Sequence, residues 1–189
     1  MWADEQDVQR SDRATIVLIG LRAAGKSEVG RAAAEAANVA FIDLDDVVQA
    51  AFPEDTVREI WDTHGETAWR TVEAIACDAV FDLASPPGVL ALGGGAPMVS
   101  EIANRLEAEK SKGRAIVVYL QCGTDTLRAR LGAEPGDRPS LTGDDLADET
   151  ETVRARREPT FLGLADAVVE ADDDVETVVR LVLAEAYGP

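Results

Sequence analysis

Gly20-Leu21-Arg22-Ala23-Ala24-Gly25-Lys26-Ser27 lies between the apolar run Ala14-Thr15-Ile16-Val17-Leu18-Ile19 and the alanine-rich stretch Val29–Ala37. A strand, then Gly-x4-Gly-Lys-Ser, then a helix is the context of a phosphate-binding loop. Glycines let the backbone curl so that successive N–H groups point at phosphate oxygens, and the helix that follows adds its positive N-terminal end. Lys26 is placed to reach the outer phosphates, and the Ser27 hydroxyl to ligate a magnesium ion. The plainer alternative, a Gly-Lys turn that merely starts a helix, does not account for the strand and helix on either side.

Outward from this loop, strand-like and helix-like segments alternate along the whole chain, the pattern of an α/β domain with a parallel sheet. Strands are expected at 14–19, 39–44, 89–92, 115–120 and 167–170. Helices are expected at 26–37, 45–52, 56–63, 66–83, 124–131, 147–157 and 174–187, with Gly65 dividing the third from the fourth. Residues 132–143 are rich in Gly, Pro and charge and read as a mobile loop. With 189 residues, one domain is expected over 14–189, preceded by a polar tail at 1–13. The acidic run Asp172-Asp173-Asp174 stands where a helix N-terminus favours negative charge.

The net charge of −18 argues against nucleic acid or an acidic membrane surface as a partner. An anion site must then be built locally, from Lys26 and a few arginines; Lys110 and Lys112 are the only other lysines. No apolar stretch approaches a membrane span and the first thirteen residues carry no signal-like segment, so a cytoplasmic protein is expected. Cys77 and Cys122 sit in apolar stretches without metal-ligand spacing and read as buried free thiols.

Further candidates follow the strands. In Phe41-Ile42-Asp43-Leu44-Asp45-Asp46, alternation along a strand would bring Asp43 and Asp45 to one side, at the carboxyl end where ligand crevices of open sheets lie. Asp43 would hold the metal through water and Asp45 the attacking hydroxyl; the competing reading makes Asp45 or Asp46 a helix N-cap. Trp61 precedes Gly65-Glu66; Trp69, Arg70 and Glu73 follow it, with Glu73 one helical turn from both Trp69 and Arg70, and an arginine between aromatics suits a small carboxylate. A surface ion pair beside two core tryptophans is the alternative. Gly93-Gly94-Gly95 after a strand lets a ligand approach the main chain, or is a simple turn. Arg138, in Asp137-Arg138-Pro139-Ser140-Leu141, sits on the loop where closure would neutralise developing charge. Arg154, Arg156 and Arg157 precede Glu158-Pro159 on a helix that returns to the site, or form a solvated basic face.

Taken together, the order and spacing of Gly20–Ser27, Asp43-x-Asp45, Gly65-Glu66…Trp69-Arg70…Glu73, Gly93–Gly95, Arg138-Pro139-x-Leu141 and Arg157-x-Pro159 resemble the shikimate kinases, from about Thr15 to the terminal helix. The resemblance implies a three-layer P-loop kinase fold with a five-stranded parallel sheet in the order 2-3-1-4-5 and a lid at about 132–145. It implies an ATP- and Mg2+-dependent transfer to the 3-hydroxyl of shikimate, in aromatic amino-acid biosynthesis, by a monomer. By that resemblance Gly20, Ala23, Ala24, Gly25, Lys26, Ser27, Glu28, Arg130 and Arg138 face the nucleotide, Arg130 packing on adenine. Ser27 and Asp43 serve the metal. Asp45, Trp61, Trp69, Arg70, Gly93, Gly94, Gly95, Leu141 and Arg157 face shikimate, with Lys26, Asp45 and Arg138 catalytic.

Three positions depart from the family pattern. Ala23 replaces a usual glycine, Glu28 replaces a small hydroxyl residue, and Arg22 replaces an apolar one; Arg22 could reach either substrate. The alternatives to shikimate phosphorylation are a related kinase for another polyol acid such as gluconate, and a nucleotide-binding regulatory module without turnover.

Overall fold

The computed structural model describes residues 14–133 and 149–188. Five strands, β1 (Thr15–Ile19), β2 (Phe41–Asp43), β3 (Val89–Ala91), β4 (Ala115–Gln121) and β5 (Ala167–Glu170), form one sheet in the order β2-β3-β1-β4-β5. Every pairing is parallel, with Val17 opposite Leu90 on one side and Leu18 opposite Val118 on the other. β1 is central and buried throughout, so it reads as a continuous apolar run rather than an alternation.

Helices α1 (Lys26–Ala37), α2 (Leu44–Gln49), α3 (Val57–Phe81), α4 (Ser100–Ser111), α5 (Thr124–Ala133), α6 (Thr150–Leu164) and α7 (Val175–Tyr187) cover the sheet. α1 lies against α7, while α3, α4 and α6 pack in succession. The break expected at Gly65 is present: its φ of 78° and ψ of 164° kink α3 into two helices. Thr56 opens α3 with a capping box, its hydroxyl accepting from the Glu59 N–H and the Glu59 carboxylate accepting from the Thr56 N–H. Asp174 caps α7 by accepting from the Thr177 N–H, so the acidic run acts as a helix start.

Several expectations need correction. α4 is absent from the sequence reading, since its inner face offers little more apolar surface than Ile102 and Leu106. α6 continues through Pro159, held by the buried Phe161 and Leu164 beyond it. β2 ends at Asp43, one residue short of the expected strand end, while Asp45 lies on α2 as the helix expected from 45 requires. Strand alternation therefore does not explain why Asp43 and Asp45 are close; a strand-to-helix turn does.

α4 also carries Glu109, 1% exposed, against Arg114 Nη2 at 2.6 Å, Lys112 Nζ at 3.1 Å and Arg105 Nε at 3.1 Å. Arg105 reaches on to Asp78 and Asp82 and so ties α4 to α3. Burial pushes the Glu109 carboxyl up, but hydrogen bonds from Lys112 and Arg114 and the Arg105 charge outweigh it and hold the carboxyl below its ordinary value. A depressed carboxyl stabilises above its unfolded pKa, and that stabilisation is lost as pH falls through the folded pKa. Glu109→Gln should lower unfolding stability in urea by about 2 kcal/mol at neutral pH, because two of the cations are half exposed. The gap to wild type should close as pH falls below the ordinary carboxylate range; a gap independent of pH would remove the charge network as its cause. Both cysteines are buried and free. Among the described residues no helix is long and apolar enough to cross a membrane.

Candidate active site

The strand order decides what meets at the carboxyl edge of the sheet. β2, β3 and β1 stand side by side, so Asp43, the glycines after Leu92 and the Gly20–Ser27 loop adjoin one another. On the other side, β4 and β5 bring Cys122 and Ala171 to the same edge. Among the described residues, cavities open on both sides of the loop. One of about 360 Å³ is lined by Asp43, Asp45, Leu92 and Gly94; another of about 500 Å³ by Arg130, Leu131, Asp173, Val175 and Val178. Arg22, Ala23, Gly25 and Glu28 line both, so the loop is their shared wall.

The loop has the geometry its sequence demands. Gly25 takes φ 84° at the start of α1, a left-handed conformation that glycine adopts freely. Ala23 also takes a positive φ, 63°, where its methyl group costs about 1–2 kcal/mol. Ala23→Gly should therefore raise the melting temperature by about 2 °C, since glycine's extra unfolded-state freedom cancels part of the relief. A lower melting temperature would show that no strain is relieved there. Lys26 is buried with its Nζ donating to the Leu21 carbonyl at 2.8 Å, which holds the ammonium over the centre of the loop. Ser27 Oγ donates to Asp43 Oδ2 at 2.5 Å. Asp43 also accepts from the Asp45 N–H at 3.1 Å, so the N-cap of α2 is Asp43, neither Asp45 nor Asp46. Burial raises the Asp43 carboxyl above its ordinary value; the Asp45 and Asp46 charges add to this and the Ser27 hydroxyl opposes it.

The triple glycine makes room for charge. Side-chain carbon at Gly93 would stand 2.6 Å from Asp45 Oδ1 and 2.7 Å from Glu73 Oε1. At Gly95 it would collide with the Arg70 guanidinium, and at Gly94 it would press on the Arg22 backbone at 3.1 Å. Arg70 joins Glu73 at 2.8 Å and Glu66 at 3.0 Å, and its guanidinium lies 5.8 Å from the Trp61 ring. Burial disfavours the Arg70 charge, but the Glu73 and Glu66 carboxylates outweigh it and raise the guanidinium above its ordinary value. Arg157 Nη1 donates to the Gly94 carbonyl oxygen at 2.9 Å. Burial, then the Arg70 charge, pulls Arg157 down to about 10. Because arginine keeps its proton, partial burial and a like-charged neighbour both disfavour its charge, and a bound anion would offset both.

Among the acceptor-side candidates, Asp45, Arg70, Gly93, Gly94, Gly95 and Arg157 are brought together, with Trp61 against Arg70. Trp69 is not presented to the cavity: it is fully buried, stacked on Phe52 at 6.3 Å, and belongs to the core. Glu73 deserves a place the sequence reading withheld. Fully buried and sharing the Gly93 contact with Asp45, it was visible in sequence only as the i+3 neighbour of Arg70. On the nucleotide side, Arg130 lies in the larger cavity with Nη1 donating to the Ala23 carbonyl at 3.2 Å and Nη2 to that of Ala171 at 3.1 Å. It clamps the loop to the segment after β5. Arg138 and Leu141, with most of the expected lid, lie outside the described residues.

The family model described as shikimate kinase matches residues 22–186. The chain is 35% identical over 175 residues to shikimate kinase 2 of Yersinia enterocolitica, an alignment covering 89% of this chain and 93% of that one. Among solved structures, it is similar to the shikimate kinase of Acinetobacter baumannii in complex with shikimate, with a TM-score of 0.82, 25% identity and 94% of each chain covered. It is also similar to the shikimate kinase of Bacteroides thetaiotaomicron, with a TM-score of 0.74 and 29% identity, over 90% of this chain and 96% of that one.

Proposed function

Because the chain belongs to the shikimate kinase family, we propose that its two cavities hold ATP and shikimate and that the shared loop directs the γ-phosphoryl group to the 3-hydroxyl. It is a phosphotransferase acting on an alcohol group, and shikimate 3-phosphate and ADP are the products. The observation that carries the acceptor assignment is the convergence of Asp45, Glu73, Arg70 and Arg157 on Gly93–Gly95, next to the phosphate loop. Two guanidiniums suit a single carboxylate, and the acids beside them, Glu73 buried and Asp45 half-buried, suit ring hydroxyls.

The larger cavity takes the nucleotide. Val29, Val175 and Val178 supply apolar surface for the base, with Arg130 beside it. The loop N–H groups and Lys26 take the β- and γ-phosphates, whose oxygens replace the Leu21 carbonyl as the partner of Nζ. On the acceptor side, Arg70 and Arg157 orient the carboxylate, and Asp45 accepts the proton of the attacking hydroxyl. Positioning and fixed charge do most of the work in such a transfer. Arg138 is proposed to reach the transferring group from the lid.

Magnesium fits the residues present. Ser27 Oγ and Asp43 Oδ2 are hard oxygen donors 2.5 Å apart in the wall of the acceptor cavity, with Glu28 lining the same space. Ser27 would hold the ion directly and Asp43 through water, and the bound ion would neutralise phosphate charge. A cytoplasmic monomer is the proposed setting, since both substrates are small molecules and the described residues supply both cavities.

ADP release measured with ATP and magnesium, with and without shikimate, tests the assignment. Turnover is expected only with shikimate; equal turnover on gluconate, or none on either, would overturn it.

A further inference from the structure

Helix α6 carries Arg157, and the grip on that turn of the helix lies one residue further on. Glu158 Oε1 accepts from Tyr119 Oη at 2.8 Å, from Gln121 Nε2 at 2.9 Å and from Arg154 Nη1 at 3.4 Å. Arg154 donates in addition to the Cys122 carbonyl, at the end of β4. Tyr119 is 1% exposed, its ring 5.3 Å from that of Phe161 on α6, so the donor on the strand side is itself immobilised. Three donors from β4 and α6 thus converge on one oxygen.

Arg157 needs such a grip. Its side chain is half-buried, and burial first and the Arg70 charge second both work against its own charge. Among the described residues, the hydrogen bond to the Gly94 carbonyl holds only the tip of the side chain. Phe161 and Leu164 pack the later part of α6 and Thr150 its start. The middle turn, where Arg157 leaves the helix, is fixed to the sheet by Glu158 and Arg154.

We propose that Glu158 is a positioning residue, holding the middle turn of α6 on β4 so that Arg157 stays opposed to Arg70 as a preformed carboxylate clamp. The proposal rests on the reading that these two arginines take the acceptor carboxylate. Glu158 touches neither substrate; it acts through the placement of Arg157. A misplacement of the clamp by about 1 Å is enough to weaken orientation severely.

The test compares binding of shikimate, of its uncharged methyl ester and of ATP by calorimetry, in wild type, Glu158→Ala, Glu158→Gln and Tyr119→Phe. Glu158→Ala should weaken shikimate about tenfold while changing the ester and ATP by less than about twofold. Tyr119→Phe, which deletes one hydroxyl from a buried ring, should weaken shikimate about threefold and carries the test should the alanine variant not fold. Glu158→Gln keeps an acceptor oxygen and should remain within about twofold of wild type. Retained shikimate affinity in both Glu158→Ala and Tyr119→Phe overturns the proposal, as does equal weakening of shikimate, ester and ATP. Wild type that binds acid and ester alike overturns the carboxylate clamp instead, a different failure from that of Glu158.

Discussion

Arg70→Ala is expected to raise the KM for shikimate on the order of 100- to 1,000-fold while leaving the KM for ATP within about threefold. The asymmetry follows from where the side chain sits. Arg70 is joined to Glu73, which is fully buried, and lies between Trp61 and the backbone of Gly95, far from the wall formed by Val175 and Val178. Truncation removes one arm of the carboxylate clamp and leaves Glu73 buried without that counter-charge, so two penalties add. Arg70→Lys restores a cation without the planar fork and should recover only part of the affinity. Steady-state kinetics with each substrate varied in turn decide the matter. Comparable rises in both KM values would place Arg70 in a general structural role.

Asp45→Asn should lower kcat by about 10²- to 10⁴-fold, with a much smaller change in either KM. Asparagine keeps the shape that fits against Gly93 and loses the carboxylate that accepts the hydroxyl proton. The cap of α2 is Asp43, so the helix is expected to survive the change. A single-turnover measurement separates the chemical step from product release. A phosphoryl-transfer rate within about tenfold of wild type would show that Asp45 orients the hydroxyl without taking its proton.

The parts of this site that were legible in sequence are those where local chemistry suffices. A glycine-bounded loop after an apolar strand has few uses, and Gly20–Ser27 folds as its spacing requires. Arg70 and Glu73 meet because residues three apart share a helix face. The parts that were not legible depend on neighbours distant in sequence. Trp69 adjoins Arg70 in sequence, yet it turns to the core and stacks on Phe52. β2 stops at Asp43, one residue before the expected end of the strand, and Asp45 lies on the helix expected from 45, so strand alternation does not apply to the pair. α4 escaped because its inner face includes a carboxylate, Glu109, that is tolerated only through Arg105, Lys112 and Arg114. The helix expected to end at 157 runs on through Pro159 to Leu164, where the buried Phe161 packs it.

The crowding at Gly93 and Gly95 constrains how this enzyme can drift. A carbon at either position would have to share space with the groups that bind the acceptor, so a library randomised there and selected for turnover should return glycine almost alone. The glycine segment is therefore closed to evolutionary experiment. Variation in acceptor range has to be sampled at neighbours free of that crowding, such as Trp61 beside Arg70, and descendants with new acceptors should differ there first.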